Sequence, residues 1–433
     1  MSKIRMFKET VMYVISSDEK NKWIKNTATS SQKGTEIIIG KEKGKPLFGW
    51  GCCISEICAA ALLEMEENER EKAFDELFSE DGCAFEYCRL SIGANDFAES
   101  WYSYNETEGD YAMEHFSIDR DRKYIIPAVK KAQERSPEIR FFASPWSPPT
   151  WMKFPKAYNY GRLVQTEENL KAYAVYFRRF LEEYAKDNIK IAAVCPQNEI
   201  FADQKFPSCV FDPKELESFM CCLADEIEGL ADLYYGTCNG PDPYSEFGLH
   251  GEYLGYLMQN EKLRKCVKGA AFQWNGKYAV MQAKEDFPDL DIIQSECQCG
   301  DGENSWDYAM YLCHLIHHYT HNGARANVYW NMALKSGATS TWGWKQNSLI
   351  SVKDGKAVYN PEFYMMKHFS HFVKKGAVLL EVTGEMSSNT TAFRNPDGTI
   401  AAVIVNPFEF EKTVTVGGES IVLSPRSFNT VVI

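Results

Sequence analysis

Strand-like apolar runs alternating with helix-like amphipathic stretches predict an α/β chain: a (β/α)8 TIM barrel with a β-sandwich domain built from both chain termini. Three observations carry this expectation. Eight strand-like runs stand in one series; short strands with turn signals replace the alternation after about Lys374; and residues 1–45 hold strand-like runs with no helix to pair them. The expected division is 46–373 for the barrel and 1–45 plus 374–433 for the discontinuous sandwich. A chain of 433 residues has room for one barrel of about 250 residues and an accessory domain.

Taken in order, the N-terminal segment offers strands at Val11–Ile15 and Glu36–Ile39. The barrel strands are read at Leu47–Gly51, Glu86–Ile92, Arg140–Ala143, Ile189–Cys195, Leu233–Thr237, Gly269–Gln273, Asp291–Ser295 and Asn327–Asn331. Several are continuously apolar and rich in Val, Ile, Phe and Tyr, as strands buried on both faces should be. Between them, Glu167–Tyr184 places Leu170, Tyr173, Phe177, Leu181 and Tyr184 at three- and four-residue steps, a helical stripe. Asp212-Pro213 opens another helix, with Asp as N-cap and Pro in the first turn. Trp306–His321 and Pro361–Phe372 supply two more. Beyond Lys374, strands are expected at Ala377–Glu381, Thr391–Arg394, Ile400–Val405, Thr413–Val416 and Ser427–Val432, separated by turn signals such as Asn395-Pro-Asp-Gly.

Composition narrows the function classes. Lys+Arg number 47 against Asp+Glu 60, a net charge of −13 that repels phosphate backbones and anionic lipid. Nucleic acid and membrane are therefore not expected partners, and a neutral substrate fits better. No run of about 18 apolar residues is present, so no transmembrane helix is expected. Met1–Lys25 lacks the apolar core of a signal peptide, so a cytoplasmic chain is expected, or a secreted one if a leader has been removed. The 14 cysteines read as reduced thiols in apolar settings. Cys297 and Cys299 form a C-x-C without a second pair at zinc spacing, and His314, His317, His318 and His321 fit a solvated helix face. Neither a metal nor an organic cofactor is expected, and oligomeric state is left open.

Barrel enzymes work at the C-terminal ends of their strands. Past strand two stand Arg89 and Asp96; strand three runs into Ala143-Ser-Pro-Trp-Ser-Pro-Pro-Thr-Trp151; strand four ends in Gln197-Asn-Glu199. Strand six ends in Gln273-Trp-Asn275 and strand seven in Ser295-Glu296. Strand eight gives Trp330-Asn331, followed by Trp342-Gly-Trp344 and Asn347. Two carboxylates, several tryptophans, amides and an arginine at one mouth suit a sugar, whose C–H faces stack on aromatic rings and whose hydroxyls bond to amides and carboxylates. Paired carboxylates also divide acid and base labour when their environments differ.

The segments Gly93-Ala-Asn-Asp-Phe97, Ala143 to Met152, Gln197-Asn-Glu199, Ser295-Glu296 and Trp330-Asn-Met-Ala-Leu334 resemble glycoside hydrolase family 30, the family that includes glucosylceramidases. The likeness runs in the same order from about Phe48 to the C-terminus. It implies a retaining β-glycosidase with Glu199 as acid/base and Glu296 as nucleophile, their carboxyl groups about 5–5.5 Å apart. It further implies that Asn198 holds the sugar's 2-hydroxyl and that Arg89, Asp96, Trp146, Trp330 and Asn347 contact sugar. Gln273 and Trp344 join the expected substrate-binding set from their places at the mouth. The sequence departs from the family pattern at Ile200, where proline is usual, and at Gln273 and Asn275, where His and Tyr are usual. That tyrosine ordinarily bonds the nucleophile, and Tyr278 is the candidate substitute.

A β-glucosidase or glucosylceramidase-like activity on a β-glucoside or related sugar is the first reading. β-Xylosidase and endo-β-1,6-glucanase are the alternatives within the family. A catalytically silent carbohydrate-binding protein is the alternative outside it, kept open by the three departures and opposed by the presence of both carboxylates.

Overall fold

The computed structural model describes residues 12–240 and 250–433. The chain forms two compact units, Phe48–Phe363 and a second made of the residues up to Leu47 together with Tyr364–Ile433. The division thus falls inside the helix Pro361–Ser370, ahead of the expected position 374.

In the first unit eight parallel strands close into a barrel: β1 (Gly49–Ile54), β2 (Tyr87–Ile92), β3 (Arg140–Pro145), β4 (Ile191–Val194), β5 (Asp232–Cys238), β6 (Val267–Gln273), β7 (Asp291–Glu296) and β8 (Ala324–Asn331). All eight overlap the runs read from sequence, although β1 begins two residues later than expected and runs three residues further. Every residue of β1 and β2 is buried, which explains their unbroken apolar character. Gly51 is required by proximity, since a Cβ there would stand 1.9 Å from the carbonyl oxygen of Tyr87 on the neighbouring strand. The helix Glu167–Lys186 starts at Thr166, whose side chain accepts from the Asn169 N–H, and buries Tyr173, Phe177, Phe180 and Tyr184. The helix Pro213–Glu226 carries a complete capping box between Asp212 and Glu215.

Inside the barrel, Tyr87, Phe142, Ala193, Tyr234, Ala271, Ile293 and Ala326 meet in one cluster with Phe48 below them. Aromatic and small side chains mix around the ring, so the interior is filled rather than open. Phe48, Tyr87 and Phe142 stack with centroids 5.6 Å apart at each step. This apolar plug is the floor on which the site is built.

Among the described residues the second unit has nine strands, in the hydrogen-bonded order Ile24–Asn26, Tyr13–Ser17, Ser427–Val432, Ile400–Asn406, Thr390–Arg394, Val378–Thr383, Thr35–Glu42, Lys412–Val416 and Glu419–Leu423. Val14 and Ile37 from the N-terminal strands share a buried core with Ile404, Val414, Leu423 and Val431. Both chain ends therefore build one β-sandwich, as the sequence predicts. Its strands Ile24–Asn26 and Glu419–Leu423 were not among those expected, and Val11, the first residue of an expected strand, lies outside the described residues.

Candidate active site

Side chains two residues apart on a strand point the same way. Moving two residues along from the plug, Tyr87 gives way to Arg89, Phe142 to Ser144 and Ala271 to Gln273, so a polar layer sits directly on the apolar one. All three are fully buried. Arg89 organises the layer: one nitrogen donates to Oε2 of Glu296 at 2.6 Å, and the other to Oγ of Ser144 at 2.8 Å and Oδ1 of Asn198 at 2.7 Å. Gln273 and Thr237 also donate to Oδ1 of Asn198, at 2.6 and 3.1 Å. With that oxygen occupied by three donors, the amide nitrogen of Asn198 is the end left for the cavity it lines.

Glu296 ends β7, and its side chain is 5% exposed. Burial pushes its carboxyl up, Arg89 opposes that, and the charges of Glu199 and Asp96 reinforce it. Its other oxygen, Oε1, has Sγ of Cys299 at 3.8 Å. Glu199 stands beyond β4 in a left-handed conformation, φ +47°. Its turn is pinned by both flanking strands: the N–H of Asn198 donates to the Pro145 carbonyl at 2.7 Å, and that of Glu199 to the Thr237 carbonyl at 2.9 Å. The Thr237 N–H returns a bond to the Gln197 carbonyl at 2.7 Å. The Glu199 carboxyl is also raised by burial, opposed by Arg89 and by an N–H from Asn239 at 3.3 Å. Asp96, buried beside them, is pushed up to about 7 by burial and then by Glu199. Three carboxyl groups with one arginine cannot all ionise comfortably. The direct contact with Arg89 favours charge on Glu296, leaving Glu199 and Asp96 as the proton holders.

These groups face a cavity of about 200 Å³ whose walls are aromatic: Trp146, Trp274, Trp330, Trp342, Trp344 and Phe206. Trp146 and Trp330 lie 5.5 Å apart, with the Arg89 guanidinium 4.5 and 5.6 Å from their rings. Gln346 accepts from the Trp330 indole N–H at 2.8 Å and fixes that ring.

Of the residues picked from sequence, Glu199, Glu296, Asp96, Asn198, Trp146, Trp330 and Trp344 line this cavity. Three others lie outside this lining. Arg89 lies beneath it and holds Glu296 and Asn198. Gln273 is likewise buried below, bonded to Asn198. Asn347 spends its side chain on the backbone N–H groups of Gly302 and Asn304 and on Glu362, and its neighbour Gln346 reaches the cavity instead. Tyr278, the candidate substitute for a nucleophile-bonding tyrosine, is 64% exposed and outside the lining. Asn239, Gln204, Phe206, Trp274, Cys299 and Gln346 line the cavity and were not anticipated. Two carried a signal: Trp274 as an aromatic at the end of β6, and Cys299 as part of the C-x-C that follows Glu296.

All 14 cysteines are free. Among the described residues no group of three or more His, Cys, Asp or Glu is placed to hold a metal ion. The histidines of the helix Trp306–His321 turn to local partners: His317 and His321 stack at 3.9 Å, and His318 Nε2 meets the Lys277 carbonyl at 2.9 Å.

Comparison with known proteins agrees with this architecture. The profile of the glycosyl hydrolase family 30 TIM-barrel domain matches residues 47–220, and that of the family's β-sandwich domain matches 376–431. The chain belongs to glycoside hydrolase family 30. This family 30 member is 25% identical to the lysosomal acid glucosylceramidase of Mus musculus over 418 residues, covering 87% of this chain and 78% of that protein. It is 23% identical over 398 residues to an endo-1,6-β-D-glucanase of Trichoderma harzianum, covering 84% and 78%. The solved structure of an endo-β1,6-glucanase superposes with a TM-score of 0.86 at 23% identity, covering 97% of this chain and 99% of that one. The chain is a β-glycoside hydrolase.

Proposed function

We propose that the enzyme is a retaining β-glycosidase acting on β-glucosides or closely related sugars, with Glu296 as nucleophile and Glu199 as acid/base. The observation that carries this reading is the unequal treatment of two carboxylates sharing one aromatic cavity. Arg89 donates to Glu296 at 2.6 Å, while among the described residues the Glu199 carboxyl has one weak bond, to Asn239. In the first step Glu296 bonds to the anomeric carbon, the bond to the leaving oxygen breaks, and Glu199 delivers its proton to that oxygen. In the second, water attacks the same carbon, Glu199 takes the water's proton, and the ester to Glu296 is released. Asn198 presents an amide N–H for a sugar hydroxyl. The tryptophan walls match the C–H face of the ring, and Arg89 holds Oε2 of Glu296. A cavity of about 200 Å³ lies below the roughly 300–1,000 Å³ of sites for larger ligands, which favours a single terminal sugar and exo action.

The deciding assay is turnover of a panel of 4-nitrophenyl β-glycosides by the wild type and by Glu296→Gln. Activity on one glycone that falls at least about 10⁴-fold in the variant supports the assignment and names the sugar. A variant as active as the wild type sinks it. Silence across the panel with release of oligosaccharides from β-1,6-glucan would replace exo action with the endo-glucanase reading.

A further inference from the structure

Arg89 occupies Oε2 of Glu296 and leaves Oε1, which has Sγ of Cys299 3.8 Å away. Cys299 itself lines the cavity. Burial pushes its thiol up, and the charges of Glu296, Cys297, Asp96 and Glu199 add to that. The group therefore stays S–H and can act toward a carboxylate only as a donor. Its place is fixed by the residue first expected to touch sugar. The N–H of Asn347 donates to the Cys299 carbonyl at 2.7 Å, and Oδ1 of Asn347 accepts from Gly302 at 2.8 Å. Gly300, at φ +70°, passes so close to that amide that a Cβ would stand 2.5 Å from its Cγ. The loop after β7 is wrapped around the Asn347 side chain, with Cys299 at its root.

We propose that Cys299 is a positioning residue that orients Glu296 for attack by donating its S–H to Oε1, the oxygen that Arg89 leaves free. This rests on the reading of Glu296 as nucleophile. A thiol is a weaker donor than a hydroxyl, so it restrains rotation of the carboxylate while withdrawing little charge from the attacking oxygen. The titratable and charged groups facing Glu296 are Cys53 from β1, Arg89 from β2, Asp96 from the following loop, Glu199 from beyond β4, and Cys297 and Cys299 from beyond β7. Among the described residues, Arg89 and Cys299 are the donors to its carboxyl.

The test compares Cys299→Ala and Cys299→Ser with wild type by two readouts. One is the pH profile of kcat/KM on 2,4-dinitrophenyl β-D-glucopyranoside, whose leaving group needs no acid. The other is the 13C titration of the Glu296 carboxyl, assigned by its loss in Glu296→Gln. Removing a donor to the ionised form raises a carboxyl pKa, and strengthening the donor lowers it. The Glu296 titration and the acid limb should therefore lie lowest in Cys299→Ser, higher in wild type and highest in Cys299→Ala, with kcat/KM about tenfold down in the alanine variant. An identical Glu296 titration in all three proteins overturns the proposal whatever their activities, and the carboxyl titration alone decides if the glucoside is not turned over. Wild-type activity in Glu296→Gln would instead remove the nucleophile reading, and this proposal with it.

Discussion

Glu296 and Glu199 serve one cavity from strands three apart in the barrel, and their surroundings differ in kind. Both oxygens of Glu296 are engaged, by a guanidinium at 2.6 Å and a thiol at 3.8 Å, and the side chain is 5% exposed. Glu199 is only partly buried, rides on a turn held by backbone bonds, and among the described residues has one side-chain bond, of 3.3 Å. The contrast separates two demands. A nucleophile needs a fixed direction and a settled charge; a proton carrier needs a fixed root, a loosely held head and access to water for reloading.

The largest effect that would break this contrast comes from Glu199→Gln. On a β-glycoside with an alkyl leaving group, kcat/KM should fall about 10³-fold, whereas on the dinitrophenyl glycoside the first step should barely change. Equal losses on both would show that Glu199 does not carry the proton. Arg89→Lys comes next. A point charge cannot span Glu296, Ser144 and Asn198 as the fork does, so about 100-fold should be lost on both leaving groups alike, with the fold retained by circular dichroism. A loss confined to poor leaving groups would mean that Arg89 serves Glu199 instead. The smallest effect sharpens the contrast. Asn239 donates to Glu199 and so favours its ionised form. Without it the proton is held more tightly, and the basic limb of kcat/KM in Asn239→Ala should move to higher pH, with activity within about threefold of wild type. A limb that moves down would reverse the assigned bond.

The barrel was legible in the sequence because strands buried on both faces leave unbroken apolar runs, and all eight appear where such runs stand. The sandwich was legible from its turn signals, but Glu419–Leu423 was missed: it is only five residues long, and within it only Ile421 and Leu423 are fully buried. The carboxylates were found from their places at strand ends. Which neighbours reach the cavity was not readable, because it depends on how each strand rotates as it leaves the barrel. Arg89 and Gln273 fall one layer short, and Asn347 turns inward to brace a loop while Gln346 turns out. Asn239 sits in a stretch with no marked pattern, 40 residues from Glu199, and the closed ring of strands brings the two together. Cys299 is a near neighbour of Glu296 in the chain, but its C-x-C was read as a pair of reduced thiols.

The pinned turn at Gln197 to Glu199 has a consequence for how such an enzyme can diversify. Just beyond it, the Phe211 N–H bonds to the Ile200 carbonyl at 3.2 Å and closes a neck, so 201–210 form a lobe that leaves and returns at one point. Gln204 and Phe206, both cavity residues, ride on that lobe. Doubling a loop's length costs only about 0.6 kcal/mol of closure entropy. The lobe also bonds to 158–161, through the Ser208 N–H to the Tyr158 carbonyl and the Val210 N–H to the Gly161 carbonyl, so the two segments must vary together while Glu199 stays anchored on the far side of the neck.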